Sequence, residues 1–204
     1  MTNIQTLYKA PIWVQDNTLS QDELSRLEKV CIEKCESMPD YPDDYNPDIY
    51  KFSRTSKLNP HLETEFKQVS NLMLDAAKGL MLGMGYSDKQ SERLSIANSW
   101  YGIYKNGDNL PMHTHRNSFL SGAYYIKDVS DSKLRFMQDM YRNTPYPADV
   151  WNEWGCNVTE FDCVPGRILI FPSETVHGID QLHSGLPDDE IIKVMLSYNF
   201  VFGH

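Results

Sequence analysis

The stretch "NLPMHTHRNSFLSGAYYI", residues 109–126, places two histidines, His113 and His115, directly before a strand-like run. Side chains at i and i+2 on extended backbone point to the same side, so the two imidazoles would face one cation together. Neutral imidazole is a good ligand for Fe, Zn, Cu and Ni. An H-x-H pair by itself fits surface histidines as well as it fits a metal site. A metal site therefore needs further ligands elsewhere in the chain.

A third histidine stands far along the chain, in "PGRILIFPSETVHGI", residues 165–179. His177 follows Gly166 by eleven residues and comes just after an apolar run that reads as a buried strand. Two ligands from one strand and loop, with a third from a distant strand, is the layout of a double-stranded β-helix metal site. We therefore expect His113, His115 and His177 to share one ion, although His177 taken alone fits an ordinary loop histidine.

The first part of the chain reads as helical. Ser20 and Glu23 form a capping box before an apolar stripe that includes Cys31 and Cys35, which predicts a helix and two buried thiols. A second helix is predicted to start at Asn59, with a proline in its first turn, and to end at "GMGY". The remainder alternates like strands.

The order of the elements predicts the fold class. Helices come first and six or more strands follow, which favours an α+β fold: a double-stranded β-helix (a jelly-roll, cupin-like barrel) with N-terminal helices packed on it. We expect a single domain over residues 1–204. Its helical part would cover residues 1–93, and its β-helix core residues 94–204, with an insertion at 138–157.

Composition narrows the location and the partners. The chain is 41% hydrophobic and 23% charged, with a formal net charge of −9, and it contains no Lys/Arg run. The charge argues against a nucleic-acid partner. The absence of a long apolar run argues against a membrane partner, and "MTNIQTLYKAPIW" lacks a signal-peptide layout. These features predict a cytoplasmic protein.

The last predicted strand is a core strand with a lysine in its middle. In "EIIKVMLSYNFVF", Lys193 shares a face with Met195, Ser197 and Asn199, and the opposite face is apolar. A bare ammonium is costly to bury, so Lys193 needs an anionic partner or a route to water. In the strand after the histidines, Ser121, Ala123 and Tyr125 share a face in the same way, which leaves room beside one phenol.

These segments resemble a known superfamily. Tyr104-x-x-Gly-x-x-Leu-x-x-His-x-His is similar to the motif of prolyl-hydroxylase-type iron(II)/2-oxoglutarate oxygenases, and "GRILIFPSETVH" resembles the strand that delivers their distal iron histidine. More narrowly, "APIWVQDNTL", "HTHRNSFLSGAYYI", "PGRILIFPS" and "LSYNF" resemble a family of 2-oxoglutarate/iron oxygenases found in bacteria and phages. The resemblance covers most of the chain and implies a dioxygenase or hydroxylase that uses Fe(II) and 2-oxoglutarate.

The resemblance also implies roles for residues. His113, His115 and His177 stand at the metal-ligand positions, which are the catalytic centre. Lys193 stands where relatives hold the far carboxylate of 2-oxoglutarate, Tyr125 matches a tyrosine that hydrogen-bonds the same carboxylate, and Tyr104 matches a tyrosine that lines the pocket. A lysine supplies a point charge where relatives often have the fork of an arginine.

His115 departs from the family pattern, which has a carboxylate at this position. A histidine makes the site one charge more positive, and we favour a three-histidine face. The alternative is that water or a nearby carboxylate completes the site, for which Asp108, Glu174 and Asp180 are nearest in sequence. A non-catalytic β-helix binding protein also fits this departure.

A cupin-type metalloenzyme that does not use 2-oxoglutarate is the competing interpretation. Gly107-x5-His113-x-His115 opens the cupin metal motif, but Phe119 and Leu120 stand where its glutamate belongs, and Glu174 replaces the glycine of its second half. Together with Lys193, these departures favour the 2-oxoglutarate interpretation.

The sequence leaves the substrate open. A nucleobase, an amino-acid side chain on a protein and a small metabolite would all fit, and Arg116 and Asn117 are candidate substrate contacts. The 138–157 insertion, with Trp151 and Trp154, would serve as a lid or a substrate wall. An exposed sheet edge would allow a homodimer.

Overall fold

A computed structural model describes residues 10–37, 51–52, 59–137 and 158–203. Within these ranges the helices are α1 (Gln21–Glu36), α2 (Lys67–Gly83) and α3 (Asp88–Ser91), with 3-10 turns at Pro60–Leu62 and Thr64–Phe66. The strands are β1 (Trp13–Gln15), β2 (Lys51–Phe52), β3 (Leu94–Tyr104), β4 (Leu110–His113), β5 (Leu120–Asp128), β6 (Lys133–Met137), β7 (Val158–Asp162), β8 (Ile168–Pro172), β9 (Val176–Ile179) and β10 (Lys193–Phe202).

The described strands form two antiparallel sheets. The larger sheet has the order β1-β8-β5-β10-β3-β2, and the smaller has the order β4-β9-β6-β7. Chain neighbours such as β4 and β5 lie in different sheets, so the chain passes repeatedly from one sheet to the other, as in a jelly roll. This is the predicted double-stranded β-helix, with α1 and α2 packed on the larger sheet.

Helix α1 forms where the capping box predicts it. The Ser20 hydroxyl accepts a hydrogen bond from the Glu23 backbone N–H, and the Glu23 carboxylate accepts one from the Ser20 N–H. These contacts satisfy backbone donors that the first helical turn leaves without partners. Cys31 and Cys35 are buried, as predicted.

The start of the second helix was predicted wrongly. Asn59 and Pro60 begin a 3-10 turn, and α2 begins only at Lys67. Glu63 lies between the two 3-10 turns with φ −97° and ψ 141°, an extended conformation that no α-helix can pass through. Pro60 fits either kind of turn at its first position, so the sequence signal could not separate them.

Alternation along β10 divides the interior into two apolar clusters. Val194, Leu196 and Phe200 pack towards the helices, whereas Met195 lies in the cluster between the two sheets. Tyr198 faces the helices as well, and hydrogen-bonds to Ser70 of α2 at 3.1 Å. The face predicted to carry Lys193, Met195 and Ser197 therefore looks into the space between the sheets.

The N-terminal part also contributes strands, which the sequence interpretation did not include. Strand β1 pairs with β8, and β2 pairs with β3, so both edges of the larger sheet are strands of only two or three residues. Short edges discourage pairing with another chain; the homodimer stays a prediction. The 138–157 insertion, with Trp151 and Trp154, lies outside the described residues. None of the described helices is long and apolar enough to cross a bilayer.

Candidate active site

Strands β4 and β9 bring two of the three histidines face to face. His113 is the last residue of β4 and pairs in register with His177 of β9. Gly178 makes this close pairing of strands feasible, because a Cβ at that position would lie 2.6 Å from the Leu110 carbonyl oxygen and 3.0 Å from the Met112 nitrogen. A larger residue would push β4 away and separate the histidines.

His115 reaches the same place from a loop rather than from the strand. Its backbone N–H donates to the Ser173 carbonyl oxygen at 2.9 Å, which ties the loop to the residue that follows β8. The side chain is buried, and its ring lies 5.5 Å from that of Trp100, centroid to centroid. The sequence argument correctly predicted that His113 and His115 lie together, but it assumed that both stand on an extended strand. The strand ends at His113, and His115 lies in the loop after it.

The three imidazoles cluster at distances that suit one metal ion. Their candidate ligand nitrogens all lie within 4.8 Å of one another. The Nε2 atoms of His115 and His177 are 3.1 Å apart. Two nitrogens that each lie about 2.1 Å from one ion, at a right angle, would be about 3.0 Å apart. The His115–His177 pair thus already has the spacing of adjacent ligands.

Backbone carbonyls fix the ring orientation of His113 and His177. In each, Nδ1 lies 2.8 Å from a carbonyl oxygen two residues earlier, that of Pro111 for His113 and that of Thr175 for His177. A carbonyl can only accept, so each Nδ1 carries the proton and each Nε2 keeps its lone pair. Metal-binding histidines are commonly held in this way. Burial, helped by the neighbouring His113, lowers the pKa of His177 to about 3, so its ring is neutral at ordinary pH.

None of the three carboxylates considered as a replacement ligand lies in this cluster. Asp108 accepts the Lys105 backbone N–H in its own turn, and Asp180 pairs with Arg135. Glu174 lines a separate surface groove with residues such as Tyr86. The geometry therefore favours His115 over a nearby carboxylate as the third donor.

A cavity of about 280 Å³ opens beside the histidines. Trp100 and Tyr104 of β3 form one wall, and Leu134, Phe171 and Met195 close its inner part. Gly102 stands between the two aromatic residues of β3, and a Cβ there would come within 2.9 Å of the Tyr104 ring. The glycine therefore lets Tyr104 lie flat along its own strand and face the cavity.

The predicted cosubstrate residues divide into two groups. Tyr104 lines the cavity, whereas Lys193 and Tyr125 lie beyond its described lining. Tyr125 is the cross-strand partner of Met195, and Lys193 stands two residues before Met195 on β10. Lys193 is fully buried, and its Nζ lies 3.0 Å from Asp128 Oδ2, 2.9 Å from Ser132 Oγ and 5.2 Å from the Tyr125 ring centroid. The anionic partner of Lys193 in this structure is therefore a residue of the chain itself, a case that the sequence argument did not weigh.

Tyr125 offers an unused polar atom next to Lys193. Its hydroxyl is buried and, apart from the weak thiol of Cys163 nearby, has no hydrogen-bond partner among the described residues. Burial raises the pKa of Tyr125, so the phenol keeps its proton and can donate. A buried hydroxyl without a partner costs stability. A bound carboxylate that accepted its hydrogen bond would remove this cost.

Residues 98–187, which hold the histidine cluster and most of the cavity wall, match a family model described as "Putative 2OG-Fe(II) oxygenase". This segment is similar to the core of a 2OG-Fe(II) oxygenase. The family description names Fe(II) and 2-oxoglutarate (2OG), and the three imidazoles are suitable donors for that metal. No curated protein matches the sequence.

Solved structures share the fold of this chain. A prolyl-4-hydroxylase from Pseudomonas putida matches with a TM-score of 0.55 at 15% identity, over 94% of this chain and 93% of that one. HygX from Streptomyces hygroscopicus, with nickel and 2-oxoglutarate bound, matches with a TM-score of 0.58 at 11% identity, over 94% and 83% of the two chains. The epimerase SnoN from nogalamycin biosynthesis matches with a TM-score of 0.62 at 9% identity, over 94% and 78%.

Sequence reasoning missed two residues of this region. Trp100 lies on β3, before the turn that precedes the histidines, and only the fold brings its ring to 5.5 Å from that of His115. Asp128 ends β5 in "YIKDVSDS" and looks like an ordinary surface acid there. Its register against Lys193 of β10 could have indicated the pair, had the bulge between Val194 and Met195 been known. Arg116 and Asn117, the candidate substrate contacts, are exposed.

Proposed function

We propose that this protein is a 2OG-Fe(II) oxygenase that holds Fe(II) on His113, His115 and His177 and couples the conversion of 2-oxoglutarate to the hydroxylation of a side-chain-sized group. The observation that carries this proposal is the convergence of the three imidazoles at the mouth of a cavity, with two of them oriented by backbone carbonyls. Fe(II) and 2-oxoglutarate, when bound, supply the oxidising chemistry: dioxygen is consumed, and succinate and CO₂ are released.

The histidines fix the position and the charge of the ion. Three neutral donors leave the full double charge of the ion on the site, whereas two histidines and a carboxylate would cancel half of it. A more positive centre attracts the carboxylate and keto oxygens of a 2-oxo acid more strongly. His115 therefore favours the anionic cosubstrate even though it departs from the usual ligand set.

The walls of the cavity keep water away from the reacting atoms. Trp100 and Tyr104 are buried, and Phe171 stacks edge-on against the His177 ring at 4.6 Å between centroids. A dry, shaped cavity strengthens the electrostatic contacts inside it. We assign Tyr104 to the wall that the cosubstrate lies against, and Tyr125 and Lys193 to its far carboxylate.

Cavity size and shape support the substrate class. A volume of about 280 Å³ lies at the lower limit of ligand pockets, which span roughly 300–1,000 Å³. After 2-oxoglutarate is placed there, the space left at the mouth suits one side chain or a comparable part of a small molecule. Solved structures with the same fold hold both kinds of ligand: one is a prolyl hydroxylase in complex with a hypoxia inducible factor peptide fragment, and another is HygX with hygromycin B bound.

An anaerobic titration tests the proposal. Fe(II) followed by 2-oxoglutarate should give the visible charge-transfer band of a metal-chelated 2-oxo acid, and oxygen should then yield succinate. Iron bound without the band would favour a cupin-type metalloenzyme that does not use 2-oxoglutarate. Failure to bind iron would favour a non-catalytic binding protein.

A further inference from the structure

A buried polar network surrounds Lys193 at the inner end of the space between the sheets. The Asp128 side chain is 4% exposed and that of Lys193 is 0% exposed. Asp128 is itself held in place, since its Oδ1 accepts from the Ser130 backbone N–H at 2.8 Å and from the Ser130 hydroxyl at 2.5 Å. Ser132 lies between the two charges, 3.2 Å from Asp128 Oδ2 and 2.9 Å from Lys193 Nζ.

The loop that directly follows Asp128 is held by two backbone hydrogen bonds to other parts of the chain. The Val129 N–H donates to the Ile192 carbonyl oxygen at 3.0 Å, and the Asp131 N–H donates to that of His183 at 3.2 Å. Asp128 therefore cannot swing aside without breaking several hydrogen bonds. A second carboxylate that reaches Lys193 has to bind next to Asp128 rather than replace it.

Two carboxylates beside one ammonium repel each other, and in a buried site water screens this repulsion poorly. An ammonium has three N–H donors. Asp128 and Ser132 take two of them here, which leaves one for a ligand. The Tyr125 hydroxyl supplies a second donor. Lys193 and Tyr125 can thus hydrogen-bond the far carboxylate of 2-oxoglutarate. The negative charge of Asp128, however, cancels most of the attraction between that carboxylate and Lys193.

We propose that Asp128 is a specificity-determining residue that weakens the preference of this oxygenase for 2-oxo acids with a second carboxylate. The inference rests on the proposed function, because it takes Lys193 to face the far end of the cosubstrate. It assigns to Asp128 two opposite effects. Asp128 stabilises the ligand-free fold by pairing a buried lysine, and it lowers the affinity for 2-oxoglutarate.

The test compares two ligands in two proteins. In the Fe(II)-loaded protein under nitrogen, the Kd of 2-oxoglutarate and of 2-oxopentanoate, which has a methyl group in place of the far carboxylate, is measured by calorimetry and by the charge-transfer band. Asp128→Asn, which keeps the shape and removes the charge, should bind 2-oxoglutarate about tenfold more tightly, or about 1.4 kcal/mol. Its Kd for 2-oxopentanoate should stay within about twofold of the wild-type value.

Thermal unfolding supplies a second readout that needs no activity. Asp128→Asn should unfold at a lower temperature than the wild type without ligand, since it leaves a buried lysine unpaired, and should gain more from added 2-oxoglutarate. Glu28→Gln is the matched control. It removes the partially exposed ion pair, at 2.9 Å, between Glu28 and Lys127, the β5 residue next to Asp128. It should leave both Kd values unchanged.

Three results would overturn the inference. An unchanged Kd for 2-oxoglutarate in Asp128→Asn means that the ion pair is structural only. A weaker Kd means that Asp128 holds Lys193 in position for the cosubstrate. Equal gains for both 2-oxo acids mean that the effect does not act on the far carboxylate. A wild-type protein that binds Fe(II) but neither 2-oxo acid contradicts the proposed function itself, which separates the two failures.

Discussion

The assignment of His115 as a metal ligand makes a quantitative prediction. Its Nε2 lies 3.1 Å from that of His177, close to the separation of about 3.0 Å that two adjacent ligands on one ion require. Changes to groups that only orient a ligand cost roughly 10–100-fold in metal affinity. Removal of a direct ligand should cost at least as much as the upper value, so we expect a Kd for Fe(II) about 100-fold higher, or about 2.8 kcal/mol.

The choice of variant matters because His115 is also part of the packing. It is 6% exposed and lies against Trp100, so His115→Ala would leave a hole. Such holes destabilise by about 2–5 kcal/mol for large apolar residues. His115→Gln conserves most of the volume and removes the imidazole, which makes it the better probe. Urea unfolding of the metal-free protein would show whether the fold is kept.

Anaerobic calorimetry with Fe(II) measures the effect. His183→Ala is the control, since His183 is exposed and takes part in the fold through its backbone carbonyl. It should bind iron as the wild type does. If folded His115→Gln also binds Fe(II) with wild-type affinity, the contact between His115 and His177 is only a hydrogen bond between two imidazoles. The three-histidine face would then be wrong.

Three further substitutions test the geometry. Gly178→Ala should raise the Kd for Fe(II) at least tenfold, because its Cβ would meet a β4 carbonyl oxygen at 2.6 Å, whereas Gly185→Ala, with nothing within 4 Å, should not. Gly102→Ala should displace Tyr104 and weaken 2-oxoglutarate binding by calorimetry while iron affinity stays the same; equal loss of both would contradict the separate roles. Tyr198→Phe should lower the free energy of unfolding by about 1–2 kcal/mol in urea, because it leaves a buried serine hydroxyl of α2 without its partner; no change would show that the hydroxyl is satisfied elsewhere.

Local signals in the sequence predict most of the strands and α1. The capping box at Ser20 and the alternation in β10 are both visible in a single sequence, because they depend on spacing alone. The wrong prediction that the second helix starts at Asn59 arose because spacing alone does not decide where α2 begins. The start of α2 is decided by the extended conformation of Glu63, which no propensity near Pro60 reports.

The candidate site shows the same division. The spacing of His113 and the distant position of His177 predict that these residues meet, since the fold class brings the two strands together. The sequence does not show that Lys193 already has a partner. That contact depends on the register of β5 against β10, which shifts by a bulge between Val194 and Met195. A one-residue shift of this kind cannot be read from alternation.

The two departures of this chain from the expected ligand pattern are connected by charge. A histidine at position 115 removes one negative charge from the metal end of the cavity, and Asp128 adds one negative charge beside Lys193, beyond the cavity's described lining. The total charge that a bound 2-oxo acid meets is therefore the same as in a site with two histidines, one carboxylate and an unpaired basic residue. What differs is its distribution, with stronger attraction at the metal and weaker attraction at the far carboxylate. Affinity for the keto-acid end would then dominate the choice of cosubstrate, and substitutions at His115 and Asp128 should not act independently, because both act on the same bound anion.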